Sequence, residues 1–518
     1  MKKILYFTFL IVCFICLRGQ MCFAEETTIW NGSVANGFES GTGTVEDPYV
    51  IVSAEQLAFF AQSVNFGTTY ANQYIRLDTD IILNDTSNYE KWDSSAPSNV
   101  WTPIGNDSKY FSGEFDGNGH KIKGVYINTD ANKQGLFGDI RSAKIKNVGV
   151  VESYIKAEQY VGGIAGYSTN SSNNSITISN CYYEGTVTGS FIVAGIVGSD
   201  SRGNIDKCFN SGKITCTGNY IGGIVGNASA IDVSNCYNEG TVNGKKNYIG
   251  GIMGYNQNGC VVSNCKNIGS VIGSSGQDIG GIVGNSYNGG VVKFSYNSGT
   301  VSGNQYVGGI VGYNFASSDY TTMIQYCYNK GKVRGTYDAG GIVGYNLSYS
   351  STSVPAVYDC YNAGVVSGYW YIGGIAGSHD IGYGSKGGEI ISRCYNVGTI
   401  SGSAVVGGIV GHHGDYSTVS NCYYLDTSCG NDDYGVALDE NEMKSKTSFV
   451  GFDFGKTWTL QGNPEYNYPE FKEMYHGEYL SIEVTMDTVY TNAKKGILIV
   501  AGYDDYDRMI KIDCTDGL

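Results

Sequence analysis

A glycine pair followed by isoleucine recurs at near-constant spacing through the middle of this chain. It stands at Gly162-Gly163-Ile164, Gly222-Gly223-Ile224, Gly250-Gly251-Ile252, Gly280-Gly281-Ile282 and Gly308-Gly309-Ile310. It continues at Gly340-Gly341-Ile342, Gly373-Gly374-Ile375 and Gly407-Gly408-Ile409, with Ala194-Gly195-Ile196 as a variant copy. Successive copies begin 28 to 34 residues apart, and Gly135-Leu136-Phe137-Gly138 reads as an eroded copy upstream. One such unit is too short to bury an apolar side alone, so a period in this range means units stacked on one another.

Within residues 222–249 the pattern predicts three short strands: Gly222–Gly226, Asp232–Tyr237 and Gly240–Val242, separated by Asn, Gly and Ser turn residues. Frequent glycine and β-branched residues oppose helix. A propeller blade needs about 40–50 residues and four strands, and the leucine spacing of a leucine-rich repeat is missing. A coil of a parallel β-helix fits both the length and the strand count.

In such a coil, residues at equal offsets become vertical neighbours about 4.8 Å apart. Cys181, Cys208, Cys236, Cys265, Cys327, Cys360, Cys394 and Cys422 form one column, with Ser295 replacing cysteine once. Tyr182, Phe209, Tyr237, Tyr296, Tyr328, Tyr361, Tyr395 and Tyr423 form the next, and Asn210 through Asn396 a third. Cysteine suits the interior as a small apolar side chain, and asparagine suits a bend. Val233 and Cys236 have opposite strand parity, so burying both requires a bend or bulge between them. In-register parallel neighbours hold their Cβ atoms too far apart for a disulfide, so free buried thiols are expected.

Composition narrows the function. Lys and Arg total 33 against 48 Asp and Glu, which argues against a nucleic-acid partner. Aromatic content of 13% and only 16% charged residues argue against disorder. Lys2 and Lys3, an apolar run from Ile4 to Leu17, and Cys22-Phe23-Ala24 together read as a secretory signal, with cleavage expected after Ala24. No later segment is apolar enough to span a bilayer as a helix. A secreted or cell-surface location follows as the expectation.

The motif Tyr-Val/Ile-Gly-Gly-Ile-Val/Ala-Gly, followed by Asn-Cys-Tyr-Asn-x-Gly-x-Val-x-Gly, resembles the GLUG-motif repeats of bacterial surface proteins, over about residues 135–425. Gly43 to Tyr49, Trp101 to Gly105 and Phe115 to His120 look like the stretch that commonly precedes such repeats. Phe449 to Phe454 and Trp458 resemble their usual terminal segment. The resemblance implies an all-β fold, a right-handed parallel β-helix outside the cell, similar to adhesins and to non-catalytic parts of large secreted peptidases. It carries no catalytic residue over.

An open coil needs capped ends. Ser53-x-x-Gln56 is a capping-box pattern, and Leu57, Phe60, Ala61 and Val64 share one face, predicting a lid helix over Ala54–Asn65. Tyr74–Leu83 reads as a strand, and Asp439-x-x-Glu442 as the start of a short helix. The expected organisation is a leader over 1–24, a cap and irregular first coils over 25–134, and the repeat solenoid over 135–425. A C-terminal cap segment over 426–477 and a partial sandwich-like tail over 478–518 complete it.

For function, the tyrosine column Tyr237, Tyr296, Tyr328, Tyr361 and Tyr395 is the candidate binding strip, because aromatic faces and amides suit sugars or extended polymers. The expected partner is a glycan or an extracellular protein, with no cofactor. Asp78, Asp80, Asp116 and His120 in the early coils are the residues an alternative, a polysaccharide lyase or hydrolase, would use. His379 and His413 share an offset in adjacent units and form a candidate metal pair. Asp432-Asp433 and Asp504-Asp505 lack the ligand series of a calcium loop. HExxH, GxSxG and Walker motifs are missing.

Overall fold

The computed structural model describes residues 28–169, 176–317, 320–349, 355–381, 390–415, 417–429, 434–460, 467–472, 497–503 and 509–516. The expected leader, the Asp432-Asp433 and Asp504-Asp505 pairs, and the strand expected over 480–484 lie outside the described residues.

The chain winds as an all-β parallel solenoid. One face is a sheet of thirteen parallel strands running from Tyr49–Ile51 to Thr418–Ser420, and a second has ten, from Phe137–Arg141 to Val410–His413. The third face is built from short ladders that step through every coil. In one coil the path runs Val225–Ser229, Asp232–Ser234, Tyr237–Asn238, Val242–Gly244 and Ile249–Gly250. Each piece pairs with its equivalent one repeat away, as in Val225 with Met253, Val233 with Val262 and Asn238 with Asn267. Equal offsets therefore do become vertical neighbours.

Two expected strands are divided. Gly222–Gly226 is a corner, because the chain bends at Gly223-Ile224 between Ile221–Gly222 and Val225–Ser229. A Cβ on Gly223 would lie 2.6 Å from Asn238 Cγ, so the corner closes only around glycine. Asp232–Tyr237 is broken at Asn235, whose φ of 53° is left-handed. That turn resolves the parity conflict, since Val233 and Cys236 are both buried. The left-handed residue recurs at Asn180, Asn264, Tyr326, Asp359 and Asn421, among others. None of these is glycine, so each carries a conformational cost of roughly 1–2 kcal/mol that the stacked ladders offset.

The core is a stack of Ile and Val with no exposure, including Ile224, Ile252, Ile282, Val233 and Val262. The cysteine column faces it, and the eight thiols of that column are free. Burial pushes the Cys216 thiol up to about 12 and Cys260 to about 11, so neither is a thiolate at neutral pH. The asparagine column is equally buried, yet satisfied: Asn210, Asn238, Asn267, Asn297, Asn329 and Asn362 each donate Nδ2–H to the next Oδ1 at 2.7–2.8 Å.

The N-terminal lid helix spans Ala54–Asn65. Ser53 Oγ accepts from the Gln56 amide at 3.3 Å, and Gln56 Oε1 accepts from the Val52 amide at 2.7 Å. The expected strand Tyr74–Leu83 is two pieces, Tyr74–Leu77 and Ile81–Ile82. Asp439 and Glu442 cap each other reciprocally at 2.9 Å, but the turn they open is a 3-10 segment, Glu442–Lys444. Phe449, Phe452, Trp458 and Phe471 then lie over the last tyrosines of the solenoid. Residues Glu473–Leu518 form a separate unit, in which Ile497–Tyr503 and Met509–Asp516 pair as an antiparallel hairpin.

Candidate functional site

The tyrosine column divides into two parts. Tyr237 and Tyr296 are half-buried, and Lys266 stands between them in the register. Tyr328, Tyr361 and Tyr395 stack face to face at 4.9 and 5.1 Å, with interplanar angles of 3° and 6°. Tyr361 and Tyr395 are 1% and 0% exposed, because Trp458 and Phe471 pack on the first and Trp458 and Phe449 on the second. The Tyr395 hydroxyl also donates to the Pro469 carbonyl. Within the expected binding strip, Tyr361 and Tyr395 are thus interior contacts under the terminal segment, and Tyr328 is buried beside Tyr361.

His379 and His413 do pair across adjacent coils, with ring centroids 5.7 Å apart. His379 is fully buried, with Nδ1 facing Asn346 Nδ2 at 3.2 Å and Nε2 facing the Thr418 carbonyl at 3.4 Å. Nδ1 therefore accepts, Nε2–H donates, and both nitrogens are engaged. His413 stacks on Tyr434 at 4.3 Å, and burial holds its pKa below the ordinary imidazole value. Among the described residues no group of three or more His, Cys, Asp or Glu is placed to hold a metal.

The early-coil carboxylates come together on one outer face. Arg76, Asp116 and Lys146 are register partners on successive strands. Arg76 Nε lies 2.6 Å from Asp78, His120 Nδ1 lies 3.1 Å from Asp80, and Lys146 Nζ lies 3.3 Å from Asp116 and 2.7 Å from Glu114. The hydrogen bond from Arg76 holds Asp78 below the usual carboxylate range, which favours the paired ion over a proton carrier.

A groove of about 710 Å³ crosses four coils on the third face, within the size range of ligand sites. Its floor follows Gly273, Gly303, Gly335 and Gly368. A Cβ on Gly303 would lie 2.7 Å from Ile279 Cδ1, and one on Gly273 would lie 2.6 Å from Ile279 Cγ1. Only glycine lets the backbone sit this deep against the core. Outward residues between these glycines line the groove, with Ile272, Ser302, Arg334 and Ser367 in register across the four coils. Tyr369 forms one wall and is 50% exposed. Beside it Tyr337 and Trp370, 42% and 38% exposed, are register partners on adjacent coils. Gln277 and Gln305 extend that same column, joined side chain to side chain at 2.8 Å.

Sequence reasoning missed this groove. Arg334, Tyr337 and Trp370 depart from the repeat pattern, so a search for what repeats passes over them. The available signal was three large or charged residues at outward positions of neighbouring Val-x-Gly strands.

The model of the GLUG motif matches residues 217–243 and 303–334. Over 180 residues, 34% of its length, the chain is 31% identical to halomucin of Haloquadratum walsbyi. Over 171 residues, 32% of its length, it is 33% identical to a "Putative Gly-rich membrane protein" of Evansella cellulosilytica. These alignments span 2% and 18% of the two relatives, so the chain covers a small part of either. A solved "putative immunoglobulin A1 protease" of Bacteroides ovatus overlaps 84% of this chain and 95% of its own, at 18% identity and a TM-score of 0.30. That likeness is too distant to argue from.

Proposed function

This chain carries GLUG-motif repeats, and on that premise we propose that it is an exported, adhesin-like surface protein holding an extended glycan along its solenoid. The observation that carries the reading is the four-coil groove flanked by the exposed rings of Tyr337, Tyr369 and Trp370. Aromatic faces accept the apolar face of a sugar ring, and the hydroxyl and amide groups of Ser302, Asn304 and Thr336 supply hydrogen-bond partners beside them. The half-exposed rings of Tyr237 and Tyr296 offer further contacts on the neighbouring ladder. Among the described residues no helix is long and apolar enough to cross a membrane. Two relatives bear the names of a mucin and of a membrane protein, which supports a place at the cell surface.

A glycan array probed with the purified chain, alongside an assay for reducing ends and unsaturated products, tests the proposal. Binding without product is the expected result. Binding that survives Trp370→Ala together with Tyr337→Ala would remove the groove from the account.

A second reading rests on Asp78, Asp80, Asp116 and His120: Asp80 meets His120 and Asp116 meets Lys146 across neighbouring coils, while Asp78 pairs with Arg76 two residues before it. It makes the chain a polysaccharide-active enzyme on the same scaffold. Product formation that Asp116→Asn and His120→Ala abolish is the outcome that favours it.

A further inference from the structure

The groove has a charge as well as a shape. Lys332 and Arg334 both line it, two residues apart on one strand edge, and both are exposed. No Asp or Glu lines it, although the chain as a whole carries 48 acidic against 33 basic residues. Among the described residues neither Lys332 nor Arg334 enters an ion pair. Arg76, Lys133, Lys146 and Arg393, by contrast, each sit within 4 Å of a carboxylate. Two exposed cations beside three exposed aromatic rings, with no carboxylate in the lining, offer a place for an anionic counterpart.

From this we infer that the groove takes an anionic polysaccharide, one bearing carboxylate or sulfate groups along its chain. The inference rests on the glycan reading above and specifies its ligand class. The register supplies the geometry. Arg334 sits between Ser302 and Ser367 on the coils either side, so a polymer lying along the solenoid axis crosses hydroxyl, guanidinium and hydroxyl in turn. Arg334 presents a planar fork that matches a carboxylate or sulfate with two parallel hydrogen bonds, and Lys332 adds a point charge beside it. Tyr337 and Trp370 are register partners on adjacent coils, whose backbones lie about 4.8 Å apart, and both rings are exposed. The net negative charge of the chain opposes a polyanion at long range, so attraction depends on the local cations of the groove.

The test uses the whole chain and four probes: a polyuronate, the same polymer with its carboxyls reduced to alcohols, a sulfated galactan and an unsulfated galactan. Calorimetric titration is run at low and high salt on the parent, on Lys332→Gln with Arg334→Gln, and on Trp370→Ala. The expected result is at least tenfold tighter binding to one charged polymer than to its neutral counterpart. The double variant loses that preference while keeping a normal circular dichroism spectrum, and added salt weakens the parent in the same direction. Which charged polymer binds assigns carboxylate or sulfate. Equal binding of charged and neutral polymers, unchanged in the double variant but lost in Trp370→Ala, overturns the anionic inference and leaves the glycan reading standing. Absence of binding to all four overturns both. Should the double variant fail to fold, the salt response and charged-to-neutral preference of the parent decide the matter alone.

Discussion

Asn329 donates its Nδ2–H to Asn362 Oδ1 at 2.8 Å, from one coil to the next, with both side chains fully buried. The same amide also reaches the Gly331 carbonyl at 2.8 Å, so each asparagine ties its own corner and its neighbour's. Replacing Asn329 by alanine leaves Asn362 and Asn297 each short of one partner in a dry setting. The expected cost is about 1–3 kcal/mol, read as a lowered urea midpoint.

Gly281 and Gly259 separate two reasons for glycine. Gly281 lacks a positive φ, yet a Cβ there would press on the Gly309 carbonyl and sit 2.5 Å from Asn297 Cγ. Gly259 has a φ of +80° and open space around the missing Cβ. Gly259→Ala should cost roughly 1–2 kcal/mol of backbone strain and still fold. Gly281→Ala must push two coils apart, and thermal melts should show it losing several times more stability or failing to accumulate.

These contrasts explain what was legible in the sequence. Stacking at equal offsets made the cysteine and asparagine columns readable, and the opposite parity of Val233 and Cys236 announced the left-handed turn found at Asn235. The helix Ala54–Asn65 was readable because Ser53 and Gln56 act locally. The fate of Tyr361 and Tyr395 was not, since a segment about 50 to 110 residues downstream covers them, and no local pattern encodes that docking. The groove was hidden for another reason: the side chains proposed to bind along it are the ones that do not repeat.

Asp278 carries a pH prediction. It is buried beside Asn285, whose Nδ2 donates to it at 2.6 Å, and desolvation pushes its carboxyl up to about 7. The folded state therefore holds a proton that the unfolded chain releases near 3.8. Between these values the folded protein binds more protons, so stability falls as pH rises through the window and levels off above it. Asp200, pushed up to about 6, acts in the same direction. Asp278→Asn should flatten the slope between pH 4 and 7 in denaturant titrations, leaving the part due to Asp200. An unchanged slope would contradict the assignment.

Trp458 anchors the terminal cover. It is fully buried between Tyr361, Tyr395, Phe452 and Phe471. Trp458→Ala should cost about 3–5 kcal/mol locally and release the segment. Hydrogen exchange should then speed up at the last coils near Tyr395 and stay slow near Cys236, because stacked repeats couple mainly to their neighbours.

The most direct test of the groove is affinity against oligosaccharide length, using fragments of whichever polymer binds. A site built across four coils predicts affinity that climbs as the fragment grows, levels off once it spans Ile272 to Ser367, and loses the climb in Trp370→Ala. Affinity that is independent of length, or that keeps rising well beyond that span without any response to Trp370, would contradict it.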